Sequence, residues 1–226
     1  MTSAPRPVTL TLDDAQQVSG LLQAPSDAHA CYVLAHGAGA GMAHPFMAAV
    51  AGGLAERGIA TLRYQFPYME HGSKRPDSPK LAQATVRAAV AEAARLLPGL
   101  ALVAGGKSFG GRMTSQAQAL SPLAGVRGLV FLGFPLHPAG KPASERGDHL
   151  SQVRVPMLFL QGTRDELAEV ELVRPLVERL GAPATLKWIE HADHSFRVLV
   201  RSGRNDEQVR AELLDALAGW VGSVTR

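Results

Sequence analysis

The stretch LALVAGGKSFGGRMTSQAQAL, residues 100–120, sets a short apolar run (Leu100–Ala104) before Gly105-Gly106-Lys107-Ser108-Phe109-Gly110-Gly111, and a helical reading from Arg112 to Leu120 follows it. A buried strand, a glycine-rich turn and a helix in that order form one unit of an α/β protein. Gly106–Gly110 has the form G-x-S-x-G. In this arrangement the serine takes a strained backbone conformation at the tip of the turn. The residues two before and two after it come so close to neighbouring chain that side chains there would clash. Ser108 is therefore the candidate nucleophile.

Outward from that turn the chain alternates apolar strands with helical segments. The strands expected are Val8–Leu12, Val18–Leu22, Cys31–Ala35, Ile59–Arg63, Leu100–Ala104, Gly128–Gly133, Met157–Gln161 and Thr185–Glu190. The first two flank a polar turn, Asp13–Gln17, and read as an antiparallel hairpin. Several of the others are apolar throughout, as strands covered on both faces are. Ser78-Pro79 starts a helix that Pro98-Gly99 stops. Leu167, Val170, Val173, Val177 and Leu180 recur at helical spacing before Gly181, and Leu213, Leu214, Leu217, Trp220 and Val221 make a second stripe. These stripes read as core-facing surfaces. The pattern predicts one α/β domain over residues 1–226, with a mostly parallel twisted sheet, right-handed crossovers and helices on both faces. Ligands of such sheets sit beyond the carboxyl ends of the strands, which is where the chemistry is sought.

A serine hydroxyl needs a base, and the base needs a carboxylate to fix its tautomer. After Thr185–Glu190 comes His191-Ala192-Asp193-His194-Ser195-Phe196. His194 is the expected base, because a few loop residues let it swing over Ser108, whereas His191 follows the strand directly and is expected to support the loop. After Met157–Gln161 comes Gly162-Thr163-Arg164-Asp165-Glu166, and Asp165 is the expected acid. Asp165 as the N-cap of a helix it opens is the structural alternative, and Glu166 and Asp193 are competing carboxylates. The order Ser…Asp…His suits this kind of sheet. Acyl transfer also needs two preorganised N–H donors for the carbonyl oxygen. Phe109, just after the serine, and Ala38, in His36-Gly37-Ala38-Gly39, are the expected pair, and Gly37 and Lys107 are expected to line the substrate site.

Rival readings of the same residues are weaker. Gly106-Lys107-Ser108 resembles the end of a phosphate-binding loop, but the required earlier glycine is Ala101. Gly37-Ala38-Gly39-Ala40-Gly41-Met42 resembles a dinucleotide fingerprint with Met42 where its third glycine belongs. His191 and His194 could pair as metal ligands, yet no further cluster at ligand spacing joins them. No cofactor and no metal are expected.

Composition frames the reading. The chain has 226 residues, 46% hydrophobic and 19% charged, which is a globular balance. The net charge of +3 comes from scattered Lys and Arg rather than a tract, so no nucleic-acid partner is expected. No apolar run is long enough to cross a bilayer, the first residues lack a secretory pattern, and Cys31 is the single cysteine. Cytoplasm is the expected location. Lys107, Arg63 and Arg164 would all lie near the strand ends, for an anionic substrate or for ion pairs with Glu70 or Glu166.

With GGKSFGG, HGAGA, GTRDE and HADHSF in this order, the chain resembles the α/β-hydrolase superfamily, and within it the compact dienelactone-hydrolase-like members. The resemblance runs from about Val18 to Trp220. It implies the same assignment: Ser108, Asp165 and His194, with Ala38 and Phe109 as donors. It is also similar to a branch containing a non-catalytic-looking subunit of a chromatin acetyltransferase complex. A scaffold without turnover is thus the alternative to a serine hydrolase acting on a small ester or thioester, and an acyltransferase is a third reading. Two departures count. Dienelactone hydrolases use a cysteine nucleophile, so serine at 108 argues against their reaction. Between the later strands only Pro135–Val155 is available, with Ser144–Gln152 as one short helix, too little for a cap domain.

Overall fold

The computed structural model describes residues 4–12 and 16–226. Eight strands form one sheet: β1 (Arg6–Thr11), β2 (Gln17–Gln23), β3 (Ala30–Ala35), β4 (Ile59–Tyr64), β5 (Ala101–Lys107), β6 (Val126–Leu132), β7 (Met157–Gly162) and β8 (Ala184–Ile189). Their spatial order is β1-β2-β4-β3-β5-β6-β7-β8. β2 runs antiparallel to β1 and β4, and every other pairing is parallel. The expected hairpin is therefore present as β1–β2, although the middle of its turn, residues 13–15, lies outside the described residues.

The apolar strands are buried for the reason anticipated: both sheet faces carry helices. β3, β4 and β7 are buried at every position. On one face α1 (Pro45–Ala55) and α6 (Asp206–Thr225) pack over Tyr32, Leu34, Val103, Val130 and Leu158. They meet so tightly that a methyl group on Gly53 would lie 2.3 Å from Leu214 Cδ1. On the other face α3 (Pro79–Leu96), α4 (Phe109–Leu120) and α5 (Val170–Leu180) cover Val33, Leu62, Ala104 and Phe131. A four-residue turn of helix, α2 (Pro67–Glu70), follows β4.

Helix ends follow local chemistry. Ser78 Oγ accepts the Leu81 N–H at the start of α3, with Pro79 at the first helical position. Asn205 and Gln208 exchange side-chain and backbone hydrogen bonds, a capping box that starts α6. The helix expected near Asp165 begins only at Val170, with Glu169 as its cap. Pro175, in its second turn, is tolerated within it.

The segment between β6 and β7 does not build a lid. Glu145–Gln152 is a short 3-10 helix whose Leu150 is wholly buried, and Gly147 lies against Leu176 of α5. This segment thus extends the core on the α4–α5 face. Among the described residues no helix is long and apolar enough to cross a membrane.

Candidate active site

Chain order reverses around β3, which lies between β4 and β5, so the loops after β3 and β5 diverge and leave a crevice at their carboxyl ends. Ser108 stands there, between β5 and α4, with φ 50° and ψ −116°. Its N–H donates to the Leu132 carbonyl at 3.2 Å. The flanking glycines have a spatial cause. A methyl group on Gly106 would lie 2.3 Å from the Ala35 carbonyl oxygen, and one on Gly110 would lie 2.6 Å from that of His36. Any larger residue would push the serine turn off β3.

Ser108, His194 and Asp165 come together in one hydrogen-bonded line. His194 Nε2 is 2.9 Å from Ser108 Oγ, and its Nδ1 is 2.7 Å from Asp165 Oδ2. An ionised carboxylate only accepts, so it draws the ring proton to Nδ1 and leaves the Nε2 lone pair facing the hydroxyl. Asp165 is 2% exposed. Its Oδ2 also accepts from Gln161 Nε2 at 2.6 Å, and its Oδ1 from the Leu167 N–H at 2.9 Å. The latter is a local side-chain turn rather than the helix N-cap of the alternative reading. Both ring nitrogens of His194 are thus engaged, one by Ser108 and one by Asp165.

The loop bearing His194 is braced by Asp193. Asp193 Oδ1 accepts the N–H groups of Ser195 and Arg197, and the Phe196 N–H donates to the Asp193 carbonyl. Phe196 consequently sits at φ 60°. The two other candidates have different surroundings. His191 is exposed and ties the loop through its backbone, donating its N–H to Thr163 Oγ1 and accepting at its carbonyl from Arg164 Nη1. Glu166 is exposed.

Ala38 lies in the loop after β3 and Phe109 opens α4. Neither N–H donates to an acceptor among the described hydrogen bonds. The loop is fixed from three sides. Tyr68 Oη accepts the Gly39 N–H, Gln65 Oε1 accepts the Met42 N–H, and His36 holds its base. His36 Nδ1–H donates to the Gly37 carbonyl and its Nε2 accepts the Phe66 N–H. Burial pushes His36 down to about 4, against the opposing hydrogen bond to Gly37, so the ring is neutral and both nitrogens have one role each.

A cavity of about 800 Å³ opens onto Ser108 between the N-termini of α1 and α6. Its walls include Gly37, Phe46, Met47, Lys107, Phe196 and Leu213. The Phe46 and Phe196 rings lie parallel, with centroids 5.8 Å apart. The expected ion pairs of the basic residues are replaced by backbone contacts. Arg63 Nη1 donates to the Met42 carbonyl and Arg164 to that of His191, while Glu70 binds Ser19.

The family model for the alpha/beta hydrolase domain matches residues 28–222. The chain belongs to the α/β-hydrolase family. Solved structures agree with this on the fold. A dienelactone hydrolase from Anabaena variabilis is 20% identical, with 100% of each chain covered and a TM-score of 0.82. A serine hydrolase without a lid from Xanthomonas campestris is 21% identical over 97% of this chain and 96% of that one, with a TM-score of 0.74. An esterase from Pyrococcus furiosus is 16% identical over 99% and 94%, with a TM-score of 0.77. This α/β-hydrolase has the compact, dienelactone-hydrolase-like form, with no large cap.

One further serine–histidine contact escaped the sequence reading. Ser115 Oγ lies 2.7 Å from His149 Nε2, linking α4 to the 3-10 helix after β6. Ser115 Oγ also lies 2.9 Å from the Arg112 carbonyl oxygen, and His149 makes a further hydrogen bond to the Arg146 backbone. Burial, with nearby Arg112 second, pushes His149 down to about 4. It is a neutral strut between two elements, with no strained turn at the serine. His137, wholly buried after β6, donates Nδ1–H to the Pro138 carbonyl and contacts Glu169 through Nε2. That contact ties the segment after β6 to the start of α5.

Proposed function

We propose that this α/β-hydrolase cleaves a carboxylic ester or thioester through an acyl-enzyme on Ser108. The observation that carries the reading is the line from Ser108 Oγ through His194 to the buried Asp165. Ser108 Oγ attacks the carbonyl carbon while its proton passes to His194 Nε2, and Asp165 stabilises the resulting imidazolium. The tetrahedral oxyanion takes hydrogen bonds from the Ala38 and Phe109 N–H groups, aided by the positive end of α4. Removing one such donor costs about 3–4 kcal/mol of transition-state stabilisation. Collapse returns the proton to the departing alcohol or thiol. Water then repeats the sequence on the acyl-enzyme and releases the acid. Gly37 and Lys107 line the cavity that would receive the acyl group.

The names of the similar structures, an esterase and a lidless serine hydrolase among them, support the same chemistry. A scaffold would need neither the strained serine nor a histidine aimed at it. Transfer to an alcohol or amine shares the first half-reaction, and product analysis with added acceptors distinguishes it. We place the enzyme in the cytoplasm, where its one thiol, Cys31, is buried and pushed up to about 12 by that burial, hence unreactive. The test is hydrolysis of short-chain p-nitrophenyl esters and acyl thioesters. Wild type is expected to release product, and Ser108→Ala to fall to the uncatalysed rate. Equal rates from both would overturn the proposal.

A further inference from the structure

Lys107 occupies the variable position of the serine turn, where the reading above requires no particular side chain. Strand alternation sends it to the α1–α6 face along with Val103, beneath the loop that bears His194. The side chain is threaded between the two halves of the site. Its Cγ lies 3.5 Å from where a methyl on Gly37 would be, at the base of the oxyanion loop. Its Nζ lies 3.0 Å from where a methyl on Gly133 would be, and His194 Cε1 and Nδ1 each lie 3.5 Å from that same point. Ammonium and imidazole are therefore neighbours across a methyl-sized space that glycine leaves open.

The ammonium is also sealed in. Phe196 covers it, ring centroid 5.6 Å from Nζ, and Nζ is buried with no hydrogen-bond partner among the described residues. An unpaired buried cation is costly, and a methionine would fill the same space without that cost. The groups around it define its electrostatics. Asp165 and Asp193 are its nearest opposite charges, too far for hydrogen bonds. Arg197 from the His194 loop, Arg210 and Asp206 from α6 and His44 at the start of α1 line the same cavity. His36, from the end of β3, is neutral.

In the resting site Lys107 and Asp165 balance. When Ser108 attacks, an imidazolium and an oxyanion form together and cancel each other in net charge, so a charged Lys107 acts on them separately, favouring the oxyanion and opposing a proton on the imidazole. The same charge disfavours a proton on His194 beforehand. We propose that Lys107 is a positioning residue that acts through His194, holding the base free of its proton in the resting enzyme and favouring the oxyanion once it forms.

The proposal rests on the hydrolase reading for its kinetic consequence but not for its first test. That test is an NMR titration of the His194 ring in wild type, Lys107→Arg and Lys107→Met. The midpoint is expected to rise by about one pH unit in Lys107→Met and to stay near wild type in Lys107→Arg. An unchanged midpoint in a folded Lys107→Met overturns the proposal, whether or not any ester is cleaved. Should Lys107→Met not fold, the wild-type and Lys107→Arg pH–rate profiles decide. Burial brings Lys107 down to about 8 against the pull of Asp165 and Asp193, so wild-type kcat/KM is expected to fall above that pH while Lys107→Arg holds its rate. Superimposable alkaline limbs overturn the proposal. Absence of turnover and of Ser108 labelling at every pH would instead count against the hydrolase reading.

Discussion

Gln161 Nε2 donates to Asp165 Oδ2 at 2.6 Å, onto the oxygen that receives the His194 Nδ1–H. The same side chain accepts the Phe134 N–H through Oε1 at 2.9 Å. A glutamine buried at the end of an apolar strand thus orients the carboxylate and fixes the loop after β6. Gln161→Leu is expected to lower kcat about tenfold with little change in KM, because it loosens the acid rather than the substrate. It should also destabilise the fold by about 1–3 kcal/mol, since the Phe134 N–H is left buried without a partner. Ester kinetics and urea unfolding together check both. Asp165→Asn goes further, presenting a donor to Nδ1 and the wrong tautomer to Ser108, with an expected loss of about 10⁴ in kcat.

The close approach at the serine turn gives a packing prediction. Gly106→Ala places a methyl 2.3 Å from a backbone oxygen of β3, which cannot rotate away. The expected cost is about 1–3 kcal/mol or more, a fall in Tm of several degrees for a chain of this length. Gly52→Ala, where a methyl group would meet nothing within 4 Å, is the control and should leave Tm unchanged or slightly raised. Thermal unfolding of the two variants separates local overpacking from a general intolerance of alanine.

Phe46 and Phe196 wall the cavity beside Ser108, and their contribution should appear as chain-length selectivity. Phe46→Ala enlarges the cavity and removes the ring stacked on Phe196, leaving the hydrogen bonds of His194 to Ser108 and Asp165 in place. It is expected to shift kcat/KM towards longer acyl chains, by about tenfold between acetate and hexanoate esters. An unchanged profile would place the acyl group elsewhere.

Acid should weaken the fold through two histidines. His36 and His149 are both held neutral by burial, with folded values of about 4 against 6.5 for the free side chain. Between those values the unfolded chain binds protons that the folded one refuses. Stability from these groups is therefore complete above pH 6.5 and is lost as pH falls towards 4. Urea midpoints measured from pH 7.5 to 4.5 should fall along that window. His149→Gln, which keeps a hydrogen-bonding group beside Ser115 but does not titrate, should flatten part of the slope.

The sequence made the fold legible because its strongest signals have steric causes. Gly106 and Gly110 are glycines since β3 passes against them, and the fully apolar strands are apolar since helices cover both sides. The positions of Ser108, Asp165 and His194 followed from the ends of strands, which locate loops well. What those loops do in detail was less readable. Asp165 looked like a helix start, yet it folds a local turn and the helix waits until Val170. Gln161 was a visible oddity, one polar residue ending an apolar strand, but nothing in sequence says which way its amide points. Ser115 and His149 meet across 34 residues with no shared motif. Lys107 and Arg63 read as charges at the strand ends, for an anionic substrate or for ion pairs, and neither has a carboxylate partner within salt-bridge distance among the described residues. Their burial depends on loops packed over the strand ends.

The central claim is that Ser108 is an activated nucleophile. Intact-mass spectrometry after incubation with a fluorophosphonate tests it without knowledge of the substrate. The account predicts a single adduct on wild type, none on Ser108→Ala, and markedly slower labelling of His194→Ala. A folded wild-type protein that takes no adduct, or one labelled equally with Ser108 replaced, would contradict it.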